Sequence, residues 1–172
     1  VASLFGFADQ EILTAMSMLT SVEGRFQYLR SEDNITAIID YAHTDDALKN
    51  IISSIYTISS DFEKLITVFG CGGDRDKSKR SLMGVVACEL SDQVIFTTDN
   101  PRSENPDDII SHMLQDLNSV QKKKVLVIID RGEAIKTACF LANKNDVILV
   151  AGKGHEKYQE IQGRRIPFDD MY

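Results

Sequence analysis

From Ile35 onward, short apolar runs alternate with longer amphipathic stretches, and this alternation constrains the fold more than any other feature of the chain. The runs fall at residues 35–39, 65–69, 94–96, 125–129 and 147–150, and the amphipathic stretches at 46–58, 79–90, 106–117 and 133–143. Near-continuous apolar runs suit strands buried on both faces, and helical periodicity between them suits crossover helices. The pattern predicts an α/β, Rossmann-like domain: a mostly parallel sheet of about six strands flanked by helices, with right-handed crossovers. The polar stretch 158–166, with Gln162-Gly163 at its centre, predicts a hairpin that ends the sheet in an antiparallel edge. Residues 1 to about 30 read differently. Ile12, Leu13, Ala15, Met16 and Leu19 form a helical stripe behind a possible Asp9 cap, with Gly24 as a stop. A start at Val-Ala-Ser without Met reads as a trimmed piece of a longer chain.

The length of 172 residues suits one domain with part of another. A formal net charge of -7 argues against a nucleic-acid or membrane-surface binder, and no apolar run reaches the length of a membrane span. Cys71, Cys88 and Cys139 match neither zinc spacing nor a disulfide framework, and no metal site is expected. They read as buried small hydrophobes in a reducing cytoplasm.

In sheets of this class, ligands bind beyond the carboxyl ends of the strands, which makes one candidate site of several separate loops. Asp99, Asn100 and Arg102, with Pro101 stiffening the loop, follow the third run. Carboxylate, amide and guanidinium together can grip a zwitterion, although Asn-Pro is also common turn punctuation. Gly70, Gly72 and Gly73 follow the second run and permit either an anion-binding turn or close packing. Arg75, Lys77, Lys79 and Arg80 come next; cations oppose the dipole at a helix N-terminus, so an anionic ligand would give this basic knot a reason. Gly152 and Gly154 flank Lys153 after the fifth run, where Glu156 can hold an ammonium and His155 has a structural reading. Asp40 and His43 end the first run and face a ribose or phosphate, or else belong to the cap of the next helix. Arg25 by itself reads as a surface arginine.

The strings VFGCGGDRDK (68–77), DNPR (99–102) and AGKGHE (151–156) resemble those of the Mur ligases of peptidoglycan synthesis, with DYAHT (40–44) and Gly24-Arg25 in matching places. The resemblance runs from about Val22 to Asp170, and DNPR is similar to the meso-diaminopimelate recognition motif of the members that add the third stem-peptide residue. It implies that residues 1–31 are the tail of a central ATP-binding domain and 32–172 a C-terminal, amino-acid-recognising domain. It implies ATP and Mg2+ as cofactors, held mainly by the central domain. The substrates implied are meso-diaminopimelate, ATP and a UDP-N-acetylmuramoyl-dipeptide, whose D-glutamate carboxylate becomes an acyl phosphate that the amine attacks. It further implies a cytoplasmic monomer, with no nucleic acid and no membrane among its partners. Carried over by position, Arg75, Asp99, Asn100, Pro101, Arg102, Gly152 and Glu156 bind diaminopimelate, and Arg25, Asp40 and His43 contribute to the nucleotide site; no residue here is assigned a catalytic role. Asp45 and Ser81 stand where the family often has proline, at loop-to-helix junctions.

Two other functions fit parts of the pattern. A receiver-like signalling domain would use Asp40, Asp99 and Lys153 after alternate strands, but no second acid precedes Asp40. A nicotinamide-binding oxidoreductase domain would need a third glycine where Arg75 stands.

Overall fold

The computed structural model describes residues 22–58 and 61–172, together with 6, 8, 10–12 and 14. The helix expected over residues 9–19 lies mostly outside them. Six strands form the main sheet: β1 (Gln27–Arg30), β2 (Thr36–Asp40), β3 (Leu65–Phe69), β4 (Gln93–Phe96), β5 (Val125–Val127) and β6 (Val147–Ala151). Their spatial order is β1-β2-β6-β3-β4-β5, parallel except for β1, which runs antiparallel to β2. The helices are α1 (Asp45–Ile58), α2 (Ser78–Leu90), α3 (Pro106–Leu114), the short α4 (Ser119–Lys122) and α5 (Arg131–Leu141).

Period-two alternation divides the sheet residues between two cores. Ile38, Leu65, Phe69, Val94, Phe96 and Leu149 pack with Leu48, Ile52 and Ile55 of α1, Met83 and Ala87 of α2, and Ile109 and Met113 of α3. Ile39, Ile66, Val68, Ile95, Ile148 and Val150 pack on the other face against Ala134 and Ala138 of α5, whose small side chains let the helix lie close. The strand β6 is buried along its whole length because it has strands on both sides and helices on both faces. Its registers pair Ala151 with both Asp40 and Phe69, and Phe69 pairs in turn with Phe96. Four strands therefore end flush, and their outgoing loops leave one rim together.

Three expectations are corrected. The C-terminal hairpin, β7 (Tyr158–Ile161) with β8 (Arg164–Pro167), is antiparallel but forms its own two-stranded sheet. It follows β6, which already has a neighbour on each side, so it cannot pair there; it crosses the rim and meets the β4–α3 loop through a bridge between Arg102 and Ile161. The antiparallel edge is instead β1, whose residues the sequence reading placed in a tail ending at 31. Cys71 and Cys88 are buried as expected, but Cys139 is exposed. The helix α5 buries Arg131, Ala134 and Ala138, which puts Cys139 on its outer face. No helix among the described residues is long and apolar enough to cross a membrane.

One buried arginine joins two of the loops that build the rim, those after β3 and β4. Arg80 is only 1% exposed and donates from Nη1 and Nη2 to Glu104 at 2.9 and 2.7 Å, and from Nη2 to the Gly72 carbonyl at 3.1 Å. Glu104 also accepts from the Asp74 amide at 2.6 Å, and Asp74 accepts from Ser103 Oγ at 2.7 Å. Arg80 thus belongs to the framework, and the anionic partner expected for the basic knot is supplied within the chain by Glu104, with Lys77 3.5 Å away.

Truncating Leu149→Ala should cost about 2–5 kcal/mol in urea denaturation, because a side chain with no exposure leaves a cavity between β2 and β3. Leu82→Ala, at a residue 50% exposed, should change stability by less than about 0.5 kcal/mol. The hydrogen bonds from Arg80 hold the Glu104 carboxyl down at about 2. A carboxyl lowered on folding stabilises above its unfolded value of about 4.3 and loses that contribution as pH falls toward about 2. Glu104→Gln should therefore be less stable than the parent at pH 7, with the difference shrinking between pH 4.5 and 2 in thermal melts.

Candidate functional site

The rim begins where β3 ends. Gly70 lies so close to the 97–99 backbone that a Cβ would collide with the Thr97 carbonyl, and a Cβ at Gly73 would run into the Pro101 carbonyl. These glycines let two loops touch: the Gly73 amide donates to the Asn100 carbonyl at 2.9 Å, and Arg102 Nη1 donates to the Gly73 carbonyl at 2.7 Å. Of the two readings left open for this glycine loop, close packing describes Gly70 and Gly73.

Arg102 holds a left-handed backbone, φ +50°, which is costly for a residue with a side chain. The hairpin holds it there. The Arg102 amide donates to the Glu160 carbonyl at 2.9 Å, and the Gln162 amide donates back to the Arg102 carbonyl at 2.8 Å. The Glu160 carboxylate lies 3.6 Å from Arg102 Nε. Tertiary contacts thus fix where this guanidinium sits, beyond anything its own loop sequence specifies.

Asn100 is 3% exposed and works as a junction. Its Oδ1 accepts from the Glu160 amide at 2.9 Å and from Lys153 Nζ at 3.1 Å, while its Nδ2 donates to Glu156 Oε2 at 2.8 Å. Lys153 has no exposed surface, and its Nζ lies 3.4 Å from both Asp99 Oδ1 and Glu156 Oε2. Deeper still, Arg131 at the start of α5 forks onto Asp170 at 2.7 and 2.8 Å and donates to the Ala151 carbonyl at 3.0 Å. Burial opposes the Arg131 charge, but Asp170 more than offsets it, with smaller help from Asp99 and Glu156, so the guanidinium stays protonated.

These residues enclose a cavity of about 390 Å3. Its wall brings together Arg75, Asp99, Asn100, Arg102, Gly152, Glu156 and His43, residues from four loops, and it carries both signs: Arg75, Lys79, Arg80 and Arg102 against Asp76, Asp99 and Glu156. Cys71 also reaches the wall, but burial pushes its thiol up to about 12, which makes it a poor nucleophile near neutral pH. Pro101 is buried against Gly73 and is not part of the wall.

Arg25 and Asp40 also lie off the wall. Asp40 accepts from the Phe26 amide at 2.9 Å and from the Ala42 amide at 2.8 Å, which ties the turn carrying Arg25 to the end of β2. Arg25 is exposed, its guanidinium carbon 5.8 Å from the Tyr41 ring centre. The same ring lies 4.7 Å from His43 and 5.3 Å from His155. Tyr41 and His43 face the cavity as well, so this aromatic and cationic cluster adjoins it.

Sequence reasoning gave Lys153 a site role only in the receiver-like reading, and gave Arg131 and Glu104 none. For Lys153 a signal existed: a lone cation between two glycines directly after a wholly apolar strand. Arg131 and Glu104 gave none, because their partners Asp170 and Arg80 lie 39 and 24 positions away. Among the described residues no group of His, Cys, Asp and Glu side chains is placed to hold a metal ion.

Residues 24–154 match the model of the Mur ligase, glutamate ligase domain family. The chain is 54% identical over 169 residues to the UDP-N-acetylmuramoyl-L-alanyl-D-glutamate–2,6-diaminopimelate ligase of Bacteroides fragilis, covering 98% of this chain and 35% of that protein. The protein of the same name from Aquifex aeolicus is 47% identical over 162 residues, covering 94% of this chain and 33% of that one. A solved structure of a ligase of that name superposes with a TM-score of 0.80 at 41% identity, covering 99% of this chain and 34% of the solved one. The UDP-N-acetylmuramate-alanine ligase of Thermotoga maritima shares the fold, with a TM-score of 0.64 at 22% identity over 87% of this chain and 31% of its own. The chain thus spans about a third of the length of the curated relatives it matches. On the match across most of its length, the chain belongs to the Mur ligase family, as its glutamate ligase domain.

Proposed function

We propose that this chain is the amino-acid-recognising domain of an ATP-dependent ligase that adds meso-diaminopimelate to UDP-N-acetylmuramoyl-L-Ala-D-Glu, with the residues ahead of β1 belonging to the tail of its central domain. The observation that carries the reading is a cavity whose wall draws on four strand ends and carries both charge signs. Diaminopimelate has two ammonium and two carboxylate groups, so a uniformly basic or acidic pocket would reject half of it. Arg102 and Arg75 suit a distal carboxylate, and guanidinium forks prefer that geometry. Asp99 and Glu156 suit the ammonium on the same carbon. Asn100 and Gly152 complete the wall, and Pro101 keeps the loop against Gly73.

Arg25 and His43, both close to the Tyr41 ring, fit the base or phosphates of a nucleotide, and Asp40 serves by holding the turn that carries Arg25. ATP, when bound, supplies the phosphoryl group that activates the acceptor carboxylate. This chain's own part is to bind the amino acid, orient its amine and close over the nucleotide. The described residues do not fit a resident Mg2+. Three unpaired cysteines suit a cytoplasmic enzyme, and the reading is of a monomer.

The other readings lose support from the topology. In a receiver the strands bearing the two acids are neighbours, whereas β6 and β3 stand between β2, which leads to Asp40, and β4, which leads to Asp99. A nicotinamide site needs an open glycine loop for pyrophosphate, and Gly73 is already closed over by Asn100 and Arg102.

In the full-length enzyme, Arg102→Ala should raise the KM for meso-diaminopimelate by about 100-fold, the value of a lost charged pairing, and leave the KM for ATP within about twofold. Unchanged diaminopimelate kinetics would remove Arg102 from the site. The parent enzyme should prefer diaminopimelate to lysine by about 10⁴-fold in kcat/KM, since lysine leaves an arginine desolvated without its partner. Equal use of the two amino acids would overturn the substrate assignment.

A further inference from the structure

Lys153 takes no part in the cavity wall, yet its ammonium touches three residues assigned to that wall: Asn100 Oδ1 at 3.1 Å, and Asp99 Oδ1 and Glu156 Oε2 at 3.4 Å each. A lysine with no exposed surface is rare, because desolvating its charge costs several kcal/mol unless partners compensate. Here the compensation comes from the very carboxylates that the amino acid's ammonium would need. The other buried cation nearby, Arg131, cannot take over, since Asp170 already neutralises it through two hydrogen bonds. The Tyr158 ring centre, 5.6 Å from Nζ, closes another side.

Resting on the reading proposed above, we infer that Lys153 is a positioning residue for substrate specificity: an internal ammonium, placed behind Asp99 and Glu156, that holds the two carboxylates together and turned so that their remaining oxygens face one incoming ammonium. The charge count supports this. Asp99 and Glu156 carry two negative charges, and Lys153 leaves a net charge of one, which a single substrate ammonium neutralises. Two carboxylates brought together without a cation repel each other and turn apart, which would scatter the acceptors. Lys153 also orders the acceptors, because one of the two Glu156 oxygens is committed to it and to Asn100 Nδ2. Gly152 and Gly154 fit the same role. Both hold positive φ angles, +113° and +53°, and their turn takes the chain over the rim while the side chain between them points inward.

The test uses the full-length enzyme. Lys153→Met keeps the stem and removes the charge. The KM for meso-diaminopimelate should rise roughly 10- to 100-fold, as for loss of hydrogen bonds to charged groups, with kcat reduced less and the KM for ATP within about twofold. A second variant, Lys153→Met with Glu156→Gln, separates charge balance from packing. If Lys153 holds two carboxylates together, removing one of them should raise the Tm of Lys153→Met by about 2–4 °C, or restore folding if the single variant does not fold. An unchanged diaminopimelate KM in a folded Lys153→Met enzyme would overturn the inference. A double variant no more stable than Lys153→Met would also overturn it, since a packing role gains nothing from the amide. If the parent enzyme prefers another amino acid, the substrate reading fails by itself, and the same KM comparison with that amino acid still decides the role of Lys153.

Discussion

The parallel pairing of β6 with both β2 and β3 is the constraint on which the rest of this structure depends. The last strand of the sheet in chain order enters at its middle, and its registers bring the ends of β2, β6, β3 and β4 to one level. Loops from distant parts of the chain then leave side by side, as ligand sites in open α/β sheets require. A slip of one residue in β6 would exchange its two buried faces and also move Gly152 and Lys153 out of line with Asp99. The apolar burial that holds β6 in place therefore also sets the geometry of the site.

Above the sheet, the loops are held by polar rather than apolar contacts. Arg80 with Glu104, Asp74 with Ser103, Gly73 with Arg102, and Asn100 with Lys153 and Glu156 knit the segments after β3, β4 and β6 into one wall. Buried charges cost free energy to desolvate and give weak net stability even when paired. What they provide here is direction, because a hydrogen-bonded carboxylate or guanidinium has few orientations left. The hairpin adds to this by holding Arg102 in a left-handed backbone that it would not otherwise favour. Under the function proposed for it, a site for an amino acid charged at both ends needs such rigidity, since each charge must meet its partner without a flexible search.

Much of this was legible in the residues. Near-continuous apolar runs at 65–69 and 147–150 read as strands, and the structure buries every residue of them in strands with nearly the same bounds. The strings around Gly70, Asp99 and Gly152 read as one rim because each follows such a run. Other elements were not legible. The strand β1 has exposed polar and apolar residues at a sheet edge, so its pattern resembles a loop, and only pairing with β2 makes it a strand. The hairpin β7–β8 was foreseen, but its place was not, because adjacency in sequence to β6 says nothing of whether β6 has a free edge. Arg80 read as one of a knot of cations suited to an anionic ligand and proved to be framework, since its partner Glu104 comes from another loop.

By itself the sequence determined the class of fold, the order of its elements, the rim on which chemistry gathers and the charges available there, because these follow from local periodicity and from residue types at strand ends. Only the tertiary structure decided which of those charges face the cavity and which are spent on one another. Arg75, Lys79 and Arg102 line the wall; Arg80 lines it too, but its charge is taken by Glu104, as that of Arg131 is by Asp170, and Lys153 turns inward beneath Asp99 and Glu156. The physical reason is that a charge is directed by its nearest partner in space, and strand order, rather than distance along the chain, chooses that partner.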